Sequence, residues 1–528
     1  MNKLQYDGPV VLAILDGVGL AVDGPGNAVA RARTLFLEKA AREYPHVALD
    51  ASGEAVGLTP GQMGNSEVGH NTIGAGQIIK QGLARVDEAL GTGEAFKTEA
   101  WKGAISRAKN SGTLHFSGIF SDGGVHSSID HLEKMVEQAY RDGVRRMRLH
   151  AVFDGRDVLP QSEPKFIRRF EKFAKQFNDA DIRIASGGGR MVCVSDRYES
   201  DWDMVKRGFD MMVYGRADHY FKNAEEAIIE LRAENPEVQD QNLPPFVIVE
   251  ENGEPVGKVL PGDALIYFDF RADRAIEIAQ AFIYRDFPYF DRGNYSPDDI
   301  FFVGMTEYNS DTHVPEHRLV EPVEIHNTLN QFLAEHGVSQ FACSETVKFG
   351  HVTYYFNGNS YERAKGEKFY EVESYDGALE ERPWMRTAEV TDKIIEEMPN
   401  YKFLRLNFPG GDMVGHTADL VATTMAVEAV DLSLRRIADK VRELKGVLII
   451  IADHGNAEEV LTREGNKKTS HTTNPVPFIL YDATENREKY EIRGGKKYGL
   501  SNVAATIATL FGLENYPEEW QESIIRIK

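Results

Sequence analysis

Val447 to Glu458 reads VLIIIADHGNAE. Its first five residues are large and apolar, and all but one are β-branched. Such an unbroken run is a strand covered on both faces, as in a parallel sheet packed between helices. The strand runs directly into Asp453-His454 and turns at Gly455. Packing does not call for a carboxylate and an imidazole there. In open α/β sheets, however, the carboxyl ends of the strands are where ligands bind.

The pattern recurs along the chain. VVLAIL (10–15) runs into Asp16-Gly17, and MRLHAVF (147–153) into Asp154-Gly155-Arg156-Asp157. ALIYFDF (264–270) precedes Arg271-Ala272-Asp273-Arg274, and FLRLNF (403–408) precedes PGGDMVGH. LHFSGIF (114–120), DIRIAS (181–186), IFFVGMT (300–306) and VPFILY (476–481) read as further strands. Helical periodicity fills the intervals, as in IDHLEKMVEQAYRDG and MAVEAVDLSLRRIADKVRELKG. Strands alternating with helices predict an α/β protein with largely parallel sheets.

At 528 residues the chain has material for more than one domain. Hydrophobic and charged fractions of 42% and 27% are those of a soluble globular protein. A net charge of −22 argues against nucleic acid as a partner, and no apolar segment is long enough to span a membrane. Cys193 and Cys343 are the only cysteines, too few for a disulfide framework or a thiolate metal site. These features predict a cytoplasmic location, and a monomer is the expected state.

In Asp412-Met-Val-Gly-His416, a carboxylate and an imidazole four residues apart share one face of a helical turn and can grip a cation. Asp453 and His454 form a second such pair, and His471 in TSHTTNPVPF precedes another strand. With Asp16, these residues supply enough oxygen and nitrogen ligands for two divalent metals. Carboxylate and imidazole without thiolate suit Mn²⁺ or Zn²⁺. Ser66 lies in TPGQMGNSEVGH (59–70), a glycine-rich turn at a helix start. It reads as a helix cap, a phosphate cradle or a metal-activated nucleophile, and the metal candidates favour the last. Asp122 and His126, Arg156 and Asp157, Arg190 and Arg197, and Arg271 and Arg274 lie in loops at or near strand ends, where bidentate anion recognition is built. Lys348 adds a cation nearer the C-terminus.

Rival motifs fail. Gly17-Val18-Gly19 follows a strand, but Val22 occupies the third glycine of a dinucleotide fingerprint. There is no Walker A sequence. Ser66 lacks a nucleophile elbow, because Val68 stands where its last glycine belongs. The metal candidates lie at Asp16 and Ser66, then only from Asp412 onward. Their convergence requires one discontinuous domain, 1–79 with 318–528, interrupted by an inserted α/β domain, 80–317.

GNSEVGH, SDGGVHS, DGRD, FRADRA, SETVKFGHVTYYFNG, DMVGHT and ADHGNAE, in this order, closely resemble the cofactor-independent phosphoglycerate mutases of the alkaline phosphatase superfamily. The resemblance implies an isomerase, an intramolecular phosphotransferase of glycolysis and gluconeogenesis. It would interconvert 3-phosphoglycerate and 2-phosphoglycerate without 2,3-bisphosphoglycerate, through a phosphoserine on Ser66. It also implies an alkaline-phosphatase-like metal domain with two metals, usually manganese. Asp412, His416 and His471 would hold one, and Asp16, Ser66, Asp453 and His454 the other. His126, Arg156, Asp157, Arg190, Arg197, Arg271, Arg274 and Lys348 would bind substrate. Asp157 would serve as acid and base, and Lys348 would stabilise the transferring phosphoryl group. Closure of the insertion about hinges near 76–82 and 308–323 would exclude water. Ala418-Asp419 departs from the family's usual glycine. The nearest alternative is a metal-dependent phosphomonoesterase of the same superfamily.

Overall fold

The computed structural model describes residues 4, 6–110, 112–196, 200–309, 312–321, 323 and 325–528. In chain order the strands are β1 (Val10–Leu15), β2 (His46–Asp50), β3 (Leu114–Ile119), β4 (Arg146–Phe153), β5 (Asp181–Gly189) and β6 (His219–Phe221). They continue as β7 (Phe246–Ile248), β8 (Ala264–Tyr267), β9 (Phe301–Gly304), β10 (Gln340–Glu345), β11 (Glu367–Val372) and β12 (Phe403–Phe408). The last are β13 (Val447–Ile451), β14 (Val476–Asp482), β15 (Tyr490–Ile492), β16 (Tyr498–Gly499) and β17 (Ile525–Ile527). The chain divides into two compact units, Met1–Lys80 with Val323–Lys528, and Gln81–Pro322.

The first unit is built on an eight-stranded sheet ordered β11-β10-β12-β1-β13-β14-β2-β16. β1 lies inside it, parallel to β12 on one side and β13 on the other. All six of its residues are buried, as an unbroken apolar strand requires. Parallel neighbours share their carboxyl ends, so the loops after β10, β12, β1 and β13 emerge along one edge. β14 is antiparallel to β13, because no crossover helix lies in the segment joining them.

The sequence reading did not anticipate β10 and β11. QFACSE ends in polar residues, and β11, at the sheet edge, buries only Glu367 and leaves the rest exposed or partly buried. The helix predicted around MAVEAVDLSLRRIADKVRELKG runs from Leu420 to Glu443, capped by Asp419, whose carboxylate accepts from Val421 and Ala422 N–H at 2.9 Å. Ala418 holds φ +52° just before it, the left-handed conformation that glycine adopts without cost.

The second unit carries a seven-stranded sheet ordered β6-β7-β5-β4-β3-β8-β9, parallel except for the β5–β7 pair. β8 ends at Tyr267 instead of extending through Phe270. Past that point Asp269 turns inward, where its Oδ1 accepts the Ile119 N–H at 2.7 Å. No helix among the described residues is long and apolar enough to cross a membrane.

A buried ion pair ties β12 to the sheet edge. Arg405 Nη2 lies 2.6 Å from Glu367 Oε1 and also donates to Asn357 Oδ1, while its Nε donates to the Val352 carbonyl. Neither charged side chain reaches solvent. Glu367→Ala is expected to cost about 3–5 kcal/mol in urea unfolding, since it strands a buried guanidinium; the Arg405→Met/Glu367→Leu double variant should recover most of that loss.

Candidate active site

The loop after β1 supplies Asp16, and the helix Gly410–Gly415 after β12 supplies Asp412. The loop after β13 supplies Asp453 and His454, and the short helix Thr346–Gly350 after β10 supplies Lys348. These parts pack too closely to admit side chains between them. A Cβ on Gly17, itself at φ +70°, would lie 2.7 Å from the Asp412 Cα, and one on Gly69 would lie 2.7 Å from the Asp453 carbonyl oxygen.

Ser66 is not the cap of its helix. Asn65 caps Ser66–Ala75, accepting the Val68 N–H at 3.0 Å, and Ser66 is the first helical residue. Its hydroxyl is free for other work. Oγ lies 3.1 Å from Asp16 Oδ1, 2.9 Å from His454 Nε2 and 2.5 Å from Lys348 Nζ, and the residue is 5% exposed.

Two groups of ligand atoms surround this point. Asp16, Asp453 and His454 offer one set of atoms within 4.8 Å of one another, and Asp412, His454 and His471 offer another. His416 joins the second group, its Nε2 standing 3.1 Å from Asp412 Oδ1 and 3.1 Å from His471 Nε2. Backbone carbonyls orient both imidazoles: Thr469 faces His416 Nδ1 at 2.6 Å, and Gly64 faces His471 Nδ1 at 2.8 Å. Each Nε2 is thereby turned toward the carboxylates, the arrangement typical of metal-binding histidines. Asp453 Oδ2 is buried without a hydrogen-bond partner, 3.2 Å from His70 Nδ1. These donors fit a divalent cation of the Mn²⁺ or Zn²⁺ type.

Electrostatics follow from this crowding. Burial opposes charge on Lys348, but Asp16 and Asp412 hold it above the ordinary lysine range. Burial likewise opposes ionisation of Asp16 and Asp412, and Lys348 brings both below the usual carboxylate range. His454 is pushed up to about 9: burial works against its protonation, and Asp453, Asp16 and Asp412 outweigh it. His416 is raised chiefly by its hydrogen bond to Asp412.

The sequence reading gave no role to His70, Asn407, Asn456 or Glu458. Asn407 Nδ2 donates to Asp16 Oδ2 at 2.6 Å, and Asn456 Nδ2 to Asp412 Oδ1 at 2.9 Å. An asparagine inside the apolar strand FLRLNF was the available signal for the first.

The second unit gathers its own set. Arg190, 1% exposed, places Nη1 2.7 Å from Asp154 Oδ1 and 2.5 Å from Asp157 Oδ2, and Nη2 2.8 Å from His126 Nε2. His126 Nδ1 stands 3.7 Å from Asp273 Oδ1, which pairs with Arg271 Nε at 3.1 Å. Arg274 is buried and donates to the Ser195 carbonyl at 2.6 Å. Arg156 is exposed, on the turn whose Asp154 carboxylate accepts the Arg156 and Asp157 N–H groups. Arg197 lies outside the described residues. Asp122 pairs with Lys165 at the surface, 2.7 Å away. Burial, then Arg190, Arg271, Arg274 and Arg156, hold His126 near 2, so the ring is neutral at working pH. It accepts from Arg190 on Nε2 and carries its proton on Nδ1, toward Asp273. Asp154 and Asp273, quoted within DGRD and FRADRA, were not singled out.

The class of protein is settled by a family match: residues 8–515 match the Metalloenzyme superfamily. The chain is 41% identical over 552 residues to 2,3-bisphosphoglycerate-independent phosphoglycerate mutase 1 of Arabidopsis thaliana, covering 99% of this chain and 97% of that one. It is 40% identical over 548 residues to the 2,3-bisphosphoglycerate-independent phosphoglycerate mutase of Ricinus communis, with the same coverage. A crystal structure of Leishmania mexicana phosphoglycerate mutase at low cobalt concentration superposes with a TM-score of 0.72 at 39% identity, over 100% of this chain and 99% of that one. The chain belongs to the family of 2,3-bisphosphoglycerate-independent phosphoglycerate mutases.

Asp269, just past the end of β8, is fully buried with Oδ2 unpartnered. Burial pushes it from 3.8 up to about 7. Across that window the folded protein holds a proton that the unfolded chain has released, so this group's stabilising contribution falls as pH rises. Asp269→Asn should remove a slope of about 1.4 kcal/mol per pH unit, read as the difference between variant and parent in urea unfolding at pH 5 and pH 7.

Proposed function

We propose that this chain interconverts 3-phosphoglycerate and 2-phosphoglycerate without 2,3-bisphosphoglycerate, through a phosphoserine on Ser66. The supporting observation is the place of Ser66 Oγ, within hydrogen-bonding distance of Asp16, His454 and Lys348 where the two ligand groups meet. Asp412, His416 and His471 would hold one divalent cation, and Asp16, Ser66, Asp453 and His454 the other. Manganese is our choice for both. Bound cations supply a lowered hydroxyl pKa and compensation for phosphoryl charge.

The protein's own groups divide the remaining work. In the forward direction Ser66 Oγ, its proton given up to water and returned when the serine is freed, attacks phosphorus; a new P–O bond forms and the bond to the substrate's 3-oxygen breaks. Lys348, held protonated by its two carboxylate neighbours, donates hydrogen bonds to the transferring phosphoryl oxygens. Asp157 delivers a proton to the departing 3-oxygen and takes one from the 2-hydroxyl, which then attacks phosphoserine and frees Ser66. Arg190 fixes the Asp157 carboxylate in place. Arg156, Arg190, Arg197, Arg271 and Arg274 recognise the substrate's anionic groups, and neutral His126 donates or accepts a hydrogen bond without adding charge. The enzyme acts as a monomer in the cytoplasm in this reading.

Ser66→Ala should abolish turnover while substrate binding stays measurable; substantial residual mutase activity would remove Ser66 as nucleophile. Lys348→Gln is expected to lower kcat by about 10²–10³-fold, the usual effect of losing a donor aimed at developing charge. The direct test strips the protein of metal, restores Mn²⁺, and supplies 3-phosphoglycerate without bisphosphoglycerate. Metal-dependent 2-phosphoglycerate with little free phosphate is the expected result. Free phosphate alone would make the chain a phosphomonoesterase.

A further inference from the structure

Glu458 is 2% exposed and lies outside both ligand groups, yet its carboxylate touches the segments that carry most of the ligands. Oε2 accepts the Gly19 N–H at 2.9 Å and the Asn456 N–H at 2.9 Å. Oε1 accepts the Thr472 hydroxyl and, at 3.0 Å, the Asn474 amide. Gly19 follows Asp16 by three residues, Asn456 follows His454 by two, and Thr472 follows His471 directly. Asn456, held in this way, turns its own amide onto Asp412 Oδ1. Four donors fill the acceptor capacity of an ionised carboxylate. The fit is close on two further sides: a Cβ on Gly19 would lie 2.4 Å from the carboxylate carbon, and one on Gly455 would lie 2.3 Å from Oε1. Its neighbour Glu459 has no such role, pairing instead with Lys468 3.1 Å away.

We propose that Glu458 is the positioning residue of the metal centre: one buried carboxylate sets the relative placement of the Asp16, Asp453-His454 and His471 loops, and so sets the affinity for divalent cation. The proposal rests on the reading of these residues as metal ligands. Glu458 contacts no ligand atom itself and acts through the backbone and side chains that follow each ligand. A glutamine there keeps one acceptor oxygen and turns an NH₂ toward two donors, so the loops lose their common fixed point. Outer-shell partners of this kind are typically worth about 10–100-fold in metal affinity.

The experiment titrates the metal-free full-length protein with Mn²⁺, following free Mn²⁺ by electron paramagnetic resonance, and records the melting temperature of each metal-free protein. Glu458→Gln is expected to raise the Mn²⁺ dissociation constant about 10–100-fold. Gly19→Ala retains every ligand and the carboxylate but displaces Glu458, and should shift the constant in the same direction even if the first variant folds poorly. Glu459→Gln should leave it unchanged. A lowered melting temperature with Mn²⁺ affinity within about two-fold of the parent, in either displaced variant that folds, would overturn the proposal and leave Glu458 a stability residue only. If the parent itself binds no Mn²⁺, the metal reading falls and this inference with it.

Discussion

Three carboxylates, those of Asp16, Asp412 and Asp453, converge in a space from which water is almost excluded. Like charges at that density do not persist in a dry interior without compensation, because desolvation and mutual repulsion act together. Lys348 supplies part of the compensation, and the imidazoles of His416 and His454, both raised by these carboxylates, supply more. Divalent cations suit the remainder, which is why the donor set and the superfamily match agree. The rest of the first unit is arranged so that this concentration of charge can be held.

The sheet order meets that requirement. β10, β12, β1 and β13 are consecutive neighbours and mutually parallel, so their carboxyl ends deliver Lys348, Asp412, Asp16 and Asp453-His454 to one edge. Mostly apolar strand interiors bury the sheet on both faces, with the Arg405–Glu367 pair and Asn407 the polar exceptions inside it. The ligands come from both ends of the sequence because parallel strands need long crossovers, and here one of the connections is a second unit with its own sheet and core.

Much of this was legible in residue order. An apolar strand ending in a carboxylate is a local pattern, so β1, β12 and β13 and their residues were readable directly. β10 was not, since QFACSE has no apolar run; Lys348 was therefore noticed without a strand to place it. Whether Ser66 caps its helix could not be resolved locally, because serine is as good a cap as the asparagine before it. Asn65 takes the cap by accepting the Val68 N–H, and Asp16, His454 and Lys348, remote in sequence, meet at Ser66 Oγ. Glu458 and Asn456 stand inside ADHGNAE, yet their partners lie on three other segments, and no spacing rule announces such contacts. Asp154 organises the DGRD turn by accepting the Arg156 and Asp157 N–H groups, a role that no spacing in the sequence announces.

The two units place histidine in opposite fields. Among carboxylates, His454 is drawn toward protonation in spite of complete burial. Among arginines, His126 is held neutral by burial and by four guanidinium groups together. A neutral imidazole there accepts from Arg190 without reducing the field that attracts an anion. Overall charge is −22, so the protein as a whole repels anions, and the arginine cluster is a local exception to that field. Protonating His126 would add a charge to that cluster but remove the acceptor that orients Arg190.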